Sequence, residues 1–149
     1  MSPTRTLARP LLASMFIAGG VDALRKPGGR VQAVESAGLS SPEQLVKVNA
    51  AVHLAGGLAL ATGRFPRLAA LALAGSLVPT TYVGHAFWAE SEAASKQQQQ
   101  IHFMKNLGLL GGLLLAAADT GGRESLPHAA GRVTRGARRA AKQLPPSRG

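Results

Sequence analysis

Four apolar segments occupy most of the first 118 residues of this 149-residue chain, and polar residues are gathered in short blocks between them. Each segment is long enough to cross a bilayer, which takes about 20 helical residues with a range of about 17 to 25. A soluble protein with four buried helices is the alternative, but so short a chain would leave too little to cover them. The pattern therefore predicts an all-α integral membrane four-helix bundle, with spans at 7–24, 45–62, 68–88 and 101–118.

The N-terminal segment also resembles a secretory signal peptide, because Arg5 and Arg9 precede an apolar stretch. Asp22 and the basic pair Arg25 and Lys26 follow it, and no small-x-small cleavage site does. We therefore expect an uncleaved first span. The chain has no Cys, so disulfides, thiolate metal sites and thiol catalysis are all excluded.

The distribution of Lys and Arg predicts an orientation for the bundle. With the N-terminus in the cytoplasm, 11 of the 17 basic residues fall on the inner side and 6 on the outer side. Cytoplasmic loops carry an excess of Lys and Arg, so both termini are expected to be cytoplasmic. The expected domains are a four-helix membrane domain over residues 1–120 and a basic, largely disordered cytoplasmic tail over 121–149.

The tail accounts for much of the net charge of +10. Below an anionic leaflet, a basic residue near the surface gains about 1 kcal/mol. Nucleic-acid binding is the competing interpretation, but no aromatic or base-reading motif accompanies the charge. The residues predicted to contact anionic lipid are Arg132, Arg135, Arg138, Arg139 and Lys142.

The connections between spans differ in kind. The first carries a segment, 31–37, that could form a surface helix, and the second, Gly63–Arg67, is short enough to force a tight antiparallel hairpin. The third, 89–100, is polar and reads either as a loop or as a helical extension. Glycine pairs at 19–20, 56–57 and 111–112, with the 108–112 GxxxG spacing, are expected to let helices approach closely.

Polar residues at membrane depth are the candidates for a site. Most of them fall near the predicted outer face, so the sequence permits one polar pocket there. Plain roles compete with this: Asp22 and Lys26 could pair at a helix end, Trp88 suits an interface, and Lys105 could extend outward. His53 lies near the middle of its span, where an ionisable side chain is costly, and either a structural or a ligand-binding role is open. The candidate pocket residues are Asp22, His53, His85, Trp88, His102, Lys105 and Asn106.

No metal site is predicted, because the His residues of the spans form no HxxxH-type pair with each other. The chain also carries no dinucleotide or haem motif, so no intrinsic cofactor is expected and independent enzymatic activity is not indicated. A quinone bound between helices is the one redox group that the pattern leaves open.

Several motifs together resemble the DoxX family of small four-helix membrane proteins. They are the Gly-Gly-Val-Asp-Ala-Leu-Arg-Lys-Pro ending of the first span, the second span from Val52 to Ala70, His85-Ala-Phe-Trp88, and Phe103-Met-Lys-Asn-Leu with its following glycines. The resemblance covers residues 7–118. Family members often carry an acidic residue where this chain has His53.

The resemblance implies a multi-pass protein of the plasma (inner) membrane, in a family that includes a subunit linked to thiosulfate oxidation by quinone and members tied to redox defence. Two hypotheses follow. One is a non-catalytic accessory subunit or scaffold of a redox or oxidative-stress-related membrane complex with a protein partner. The other is a quinone-interacting, thiosulfate:quinone-type oxidoreductase subunit that uses His85, His102 and Lys105 near the outer face.

Overall fold

A computed structural model describes residues 3–119 of the chain. Within that range the chain forms five α-helices and one 3₁₀ turn, and no strand. Three of the α-helices, and α4 taken together with the 3₁₀ turn, are long and apolar enough to cross a membrane, which confirms the all-α, four-span prediction. The elements are α1 (Pro3–Arg25), α2 (Gly28–Ser36), α3 (Pro42–Thr62), α4 (Pro66–Gly84), the 3₁₀ turn (Phe87–Ala89) and α5 (Ala93–Ala118). The tail residues Arg132, Arg135, Arg138, Arg139 and Lys142 lie outside the described range.

The structure adds detail to the connection between the third and fourth spans. The third membrane-length segment runs from Pro66 to Ala89, close to the predicted 68–88, but it is broken: α4 ends at Gly84, and His85 adopts non-helical dihedral angles before the 3₁₀ turn begins. The polar stretch 89–100 is largely a helical extension, because α5 begins at Ala93. This extension adds eight residues, or about 12 Å at 1.5 Å per residue, ahead of the apolar part of the helix.

The four long helices run alternately up and down and close into a ring. α1 packs along α3, α3 along α4, α4 along α5, and α5 contacts α1. Their buried side chains meet in one core, which includes Phe16, Leu60, Leu73 and Leu113. Because four passes return the chain to its starting side, α1 begins at the end of the bundle where α5 finishes. We call this the hairpin end, after the α3–α4 turn, and the opposite end the α2 end.

The hairpin end is shaped by a tight turn and a side-chain cap. Gly63 ends α3 with a positive φ of 72°, a conformation open to glycine at little cost. Phe65 precedes α4 with φ 50°, and Pro66 then opens the helix with its fixed φ. Across the bundle, Nε of Arg67 donates a 2.8 Å hydrogen bond to the backbone carbonyl of Ala117. A cation at this position complements the C-terminal dipole of α5.

The α2 end is covered in part by the short helix α2, which confirms the surface helix predicted there. Val31 and Val34 of this helix pack on a small cluster formed by Ala23, Val46 and Ala50. α2 therefore spans the start of α3 and the neighbouring end of α4. The polar surface of α2 stays exposed.

Close helix approach depends on four glycines. A Cβ at Gly20 would lie 2.9 Å from Leu54, one at Gly56 2.9 Å from Leu73, and one at Gly57 2.7 Å from Ile17. At Gly112 a Cβ would lie 3.4 Å from Leu12. These short distances confirm the prediction that the glycine pairs let helices approach closely, through one glycine of the pairs 19–20 and 111–112 and through both of the pair 56–57.

The prediction was wrong for Gly19, Gly108 and Gly111, around which nothing lies within 4 Å. Successive helical residues point about 100° apart, so a narrow contact with one neighbour uses only one of two adjacent glycines. α3 uses both Gly56 and Gly57 because it lies between two helices, α4 and α1.

We expect Gly57→Ala to destabilise the bundle by about 1–3 kcal/mol, because the added methyl group would lie 2.7 Å from Cγ1 of Ile17, which must shift. Gly75→Ala is the matched control, since nothing lies within 4 Å of that position in α4. The measurement is the free energy of unfolding in mixed detergent micelles. Equal stability of the two variants would contradict this account of the α1–α3 contact.

Candidate functional site

Two histidines, one directly after α4 and one on α5, meet at the α2 end. The rings of His85 and His102 are stacked with centroids 5.1 Å apart and planes 22° from parallel. Nδ1 of His85 donates a 2.8 Å hydrogen bond to Oε1 of Gln99, and Nζ of Lys105 donates to Nδ1 of His102 over 3.2 Å. We call His85, Gln99, His102 and Lys105 the imidazole cluster.

The helix ends explain why these side chains converge. α4 stops one residue before His85, while α5 has already run two turns when it reaches His102. Gln99, His102 and Lys105 are spaced three residues apart and so share one side of α5. With these hydrogen bonds, neutral His85 has an accepting Nε2 and neutral His102 has a donating Nε2–H. The pair can therefore offer one acceptor and one donor to the same group.

An aromatic cluster adjoins the imidazole cluster. Trp88 lies 5.4 Å from Tyr82, 5.1 Å from Phe87 and 5.9 Å from Phe103, measured between ring centroids. Trp88 and Tyr82 are 49% and 66% exposed, respectively, so they face the surroundings of the bundle. Amphipathic rings are enriched at membrane–water interfaces, which is the level expected here.

A cavity of about 170 Å³ lies between α4 and α5, next to the aromatic cluster. At one position it is bordered by a buried polar pair, in which Nδ2 of Asn106 donates a 3.1 Å hydrogen bond to the hydroxyl of Thr81. The Thr81 hydroxyl in turn donates to the carbonyl of Leu77. The remaining lining is apolar or aromatic: Leu77, Val78, Tyr82, Phe103, Leu107 and Leu110.

A second polar contact joins α3 to α4. The Ser76 hydroxyl donates to Oδ1 of Asn49, and the Thr80 hydroxyl lies 3.2 Å from the same oxygen. The Thr80 hydroxyl also lies 2.7 Å from the carbonyl of Ser76. Ser76 precedes Pro79 and Thr80 follows it. Because proline has no N–H, the carbonyl four residues before Pro79 has no helical hydrogen-bond donor. Polar side chains thus join three of the four long helices pairwise.

His53 lies apart from the imidazole cluster, near the middle of α3. It is 8% exposed and meets Phe16 of α1 edge to face, with ring centroids 5.3 Å apart. Its Nε2 is buried and has no hydrogen-bond partner. A buried polar atom without a partner costs stability, so this position needs an explanation beyond packing.

The predicted pocket residues therefore do not form one pocket. His85, His102 and Lys105 come together, Trp88 adjoins them, and Asn106 lies one turn deeper. Asp22 is exposed and pairs with Arg30 of α2 at 2.9 Å, where the spacing had suggested Lys26. The α2 helix explains the change, because it brings Arg30 back over the end of α1. The functional role of all seven residues stays a prediction.

Some residues of the site were missed from the sequence. Gln99 belongs to a run of four glutamines within the polar stretch 89–100, and its spacing of three from His102 was the available signal. Ser76 lies one turn before Thr80, and only the α3–α4 register shows that both reach Asn49. Phe103 belongs to a motif of the family resemblance but was not predicted to line a site, and Tyr82 had no signal beyond its aromatic character.

Comparison with known proteins supports a family assignment. The DoxX family profile matches residues 4–86, more than half of the chain. The chain belongs to the DoxX family. It is 31% identical over 120 residues to the inner membrane protein YqjF of Escherichia coli K12, an alignment that covers 80% of this chain and 86% of YqjF. No solved structure matches the chain.

The profile match covers α1 to α4 and stops one residue after His85. The motifs of α5, including Lys105 and Asn106, lie beyond it. The family assignment therefore identifies the chain as a DoxX-family membrane protein. It does not assign the chemistry of the imidazole cluster.

We expect His53→Leu to leave the bundle as stable or to stabilise it, because an unsatisfied buried polar group costs about 1–3 kcal/mol. Asn49→Leu, one turn away on the same helix, is expected to destabilise it by about 0.5–1.5 kcal/mol, because the Ser76 hydroxyl loses its acceptor on α3 while the Thr80 hydroxyl keeps the Ser76 carbonyl. The measurement is again unfolding in mixed micelles. Strong destabilisation by His53→Leu would indicate that Nε2 has a partner in the membrane.

Proposed function

We propose that this protein is a multi-pass plasma (inner) membrane protein that acts as a non-catalytic accessory subunit or scaffold of a redox or oxidative-stress-related membrane complex. The inner membrane location is supported by the relative YqjF, whose name places it there. Lipid is the first partner of such a bundle, and the basic tail residues Arg132 to Lys142 would contact anionic lipid on the cytoplasmic side.

The observation that carries the scaffold role is the extension of α5. Residues 93–100 continue the helix by about 12 Å beyond its apolar part, and most of them are exposed. The polar side chains deeper in the bundle, such as Asn49 and Asn106, are occupied by contacts between helices. The extension can therefore meet a partner without disturbing the bundle.

A quinone-interacting oxidoreductase subunit is the second candidate. The cavity between α4 and α5 supports it, because the cavity is mainly apolar and has an imidazole pair one turn away. An acceptor and a donor nitrogen side by side suit a carbonyl or hydroxyl oxygen of a quinone or quinol. In this role the quinone would be the only redox group on the chain.

One experiment separates the two candidates. A strain lacking the protein is complemented with the wild-type chain, Gln98→Trp or His85→Ala, and membrane complexes are resolved by native electrophoresis. For a scaffold, Gln98→Trp should block complex formation by its bulk, whereas His85→Ala should leave the complex intact. Gln44→Trp is the matched control, since Gln44 is also an exposed glutamine near a helix start at the α2 end.

The same samples are assayed for bound quinone and for thiosulfate-dependent quinone reduction. Bound quinone in the wild type, with both signals lost in His85→Ala, would favour the second candidate. An intact complex in Gln98→Trp would count against the extension as the docking element. A strain without the protein that forms every complex normally would sink the scaffold proposal.

The proposed orientation, with both termini cytoplasmic, rests on the distribution of basic residues. A reporter that is active only outside the cytoplasm should be silent when fused after Gly149. The same reporter inserted between Gly38 and Leu39, after α2, should be active. The reverse pattern would overturn the orientation.

A further inference from the structure

We propose that the imidazole cluster and the α4–α5 cavity together form a binding site for one anionic phospholipid. Its phosphate would lie against Lys105 and His102, and part of one acyl chain would enter the cavity. This inference requires only that the bundle lies in a membrane. It goes beyond the scaffold and quinone proposals, and it stands or falls separately from the scaffold role.

The charge of the cluster is the first step. His85, His102 and Lys105 bring two imidazoles and an ammonium group together, and within residues 3–119 no carboxylate lies within the 4.0 Å ion-pair distance of any of them. An ammonium group has three donors, and Lys105 gives one of them to His102. The remaining donors of Lys105, with Nε2–H of His102, suit the oxygens of a phosphate.

The cavity continues directly from this cluster. Thr81 lies one helical turn before His85 on α4, and Asn106 lies one turn after His102 on α5. The Thr81–Asn106 pair borders the cavity, so the imidazole cluster lies one layer nearer the α2 end. An amphiphile with its polar group at the cluster would therefore have its chain beside the cavity.

The site also lies at the right depth. The apolar part of α5 runs from Ile101 to Ala118, about 27 Å of helix, which is close to the thickness of the hydrocarbon core. His102 and Lys105 are within the first five residues of that part, close to the level where lipid head groups begin. The exposed rings of Tyr82 and Trp88 mark the same level.

The cavity is open to the lipid and has the character of a chain-binding groove. Val78, Tyr82 and Leu107 each line it and are also exposed on the outside of the bundle, so an acyl chain can enter from the bilayer. A volume of about 170 Å³ accommodates several methylene groups. A neutral quinone would fit the apolar part but would gain little from the charge of Lys105, which is why the acidic lipid is favoured.

The test uses the full-length protein in detergent, titrated with dioleoyl phosphatidylglycerol or dioleoyl phosphatidylcholine and examined by native mass spectrometry. Lys105→Gln removes the charge of the site, and Lys96→Gln removes an equally exposed charge from the same helix outside it. Leu107→Trp fills the cavity mouth. Leu114→Trp is its control, since Leu114 is exposed on α5 but does not line the cavity.

We expect phosphatidylglycerol to bind the wild type more tightly than phosphatidylcholine, and Lys105→Gln to weaken its tightest binding about fivefold, the equivalent of about 1 kcal/mol per basic residue. Leu107→Trp should also weaken it, while Lys96→Gln and Leu114→Trp should not. The basic tail can also bind acidic lipid, but it is the same in every variant. A thermal midpoint measured for each variant checks that the bundle is folded.

Equal binding of the two lipids by the wild type would overturn the proposal, as would equal effects of Lys105→Gln and Lys96→Gln. Decylubiquinone is titrated in the same way. Its binding to the wild type and loss in Leu107→Trp, without any preference for phosphatidylglycerol, would assign the cavity to a quinone instead. Complex formation in cells is a separate measurement, so failure of the scaffold proposal would not affect this result.

Discussion

The rest of this structure depends on how closely α3 approaches both of its neighbours. In a bilayer, helices gain little by hiding apolar side chains from lipid, so close packing and a few polar contacts hold them together. Gly56 brings α3 against α4 and Gly57 brings it against α1, from adjacent positions of one helix. α3 therefore makes close contacts on two sides, whereas α5 packs mainly along α4 and makes a looser contact with α1 at Gly112.

The polar contacts follow from this arrangement. Close contact between α3 and α4 brings Asn49 within reach of Ser76 and Thr80. A similar contact between a hydroxyl and an amide side chain, Thr81 and Asn106, joins α4 to α5. Both sets lie on the turn of α4 that contains Pro79. A helix interrupted by proline at this depth must satisfy its backbone groups by other means, and hydroxyl side chains are a usual one. The α4 helix thus carries the polar contacts on both of its packed sides.

The sequence predicted the number of spans and the hairpin at Gly63 because each follows from a local pattern, apolar length or a short Gly–Pro turn, and it allowed a surface helix in the first connection. It could not predict which polar residues meet. Asp22 pairs with Arg30 and not with the nearer Lys26, and Gln99 reaches His85 across helices. Those contacts depend on helix register and on where α4 ends. The two glycines of a pair are equivalent in the sequence, yet at 19–20 and 111–112 only one of them contacts another helix.

The two ends of the bundle differ in construction. At the hairpin end, a short turn and the Arg67 cap on Ala117 hold the helix ends together. At the α2 end, α5 extends past its neighbours, α4 stops early, and the gap between them holds His85, His102 and the aromatic rings. The geometry of that gap is the same whichever way the bundle is oriented in the membrane, but the orientation decides which molecules can reach it. If both termini are cytoplasmic, whatever meets the imidazole cluster must come from the outer leaflet or the space beyond it, and a lipid head group is already present at that level.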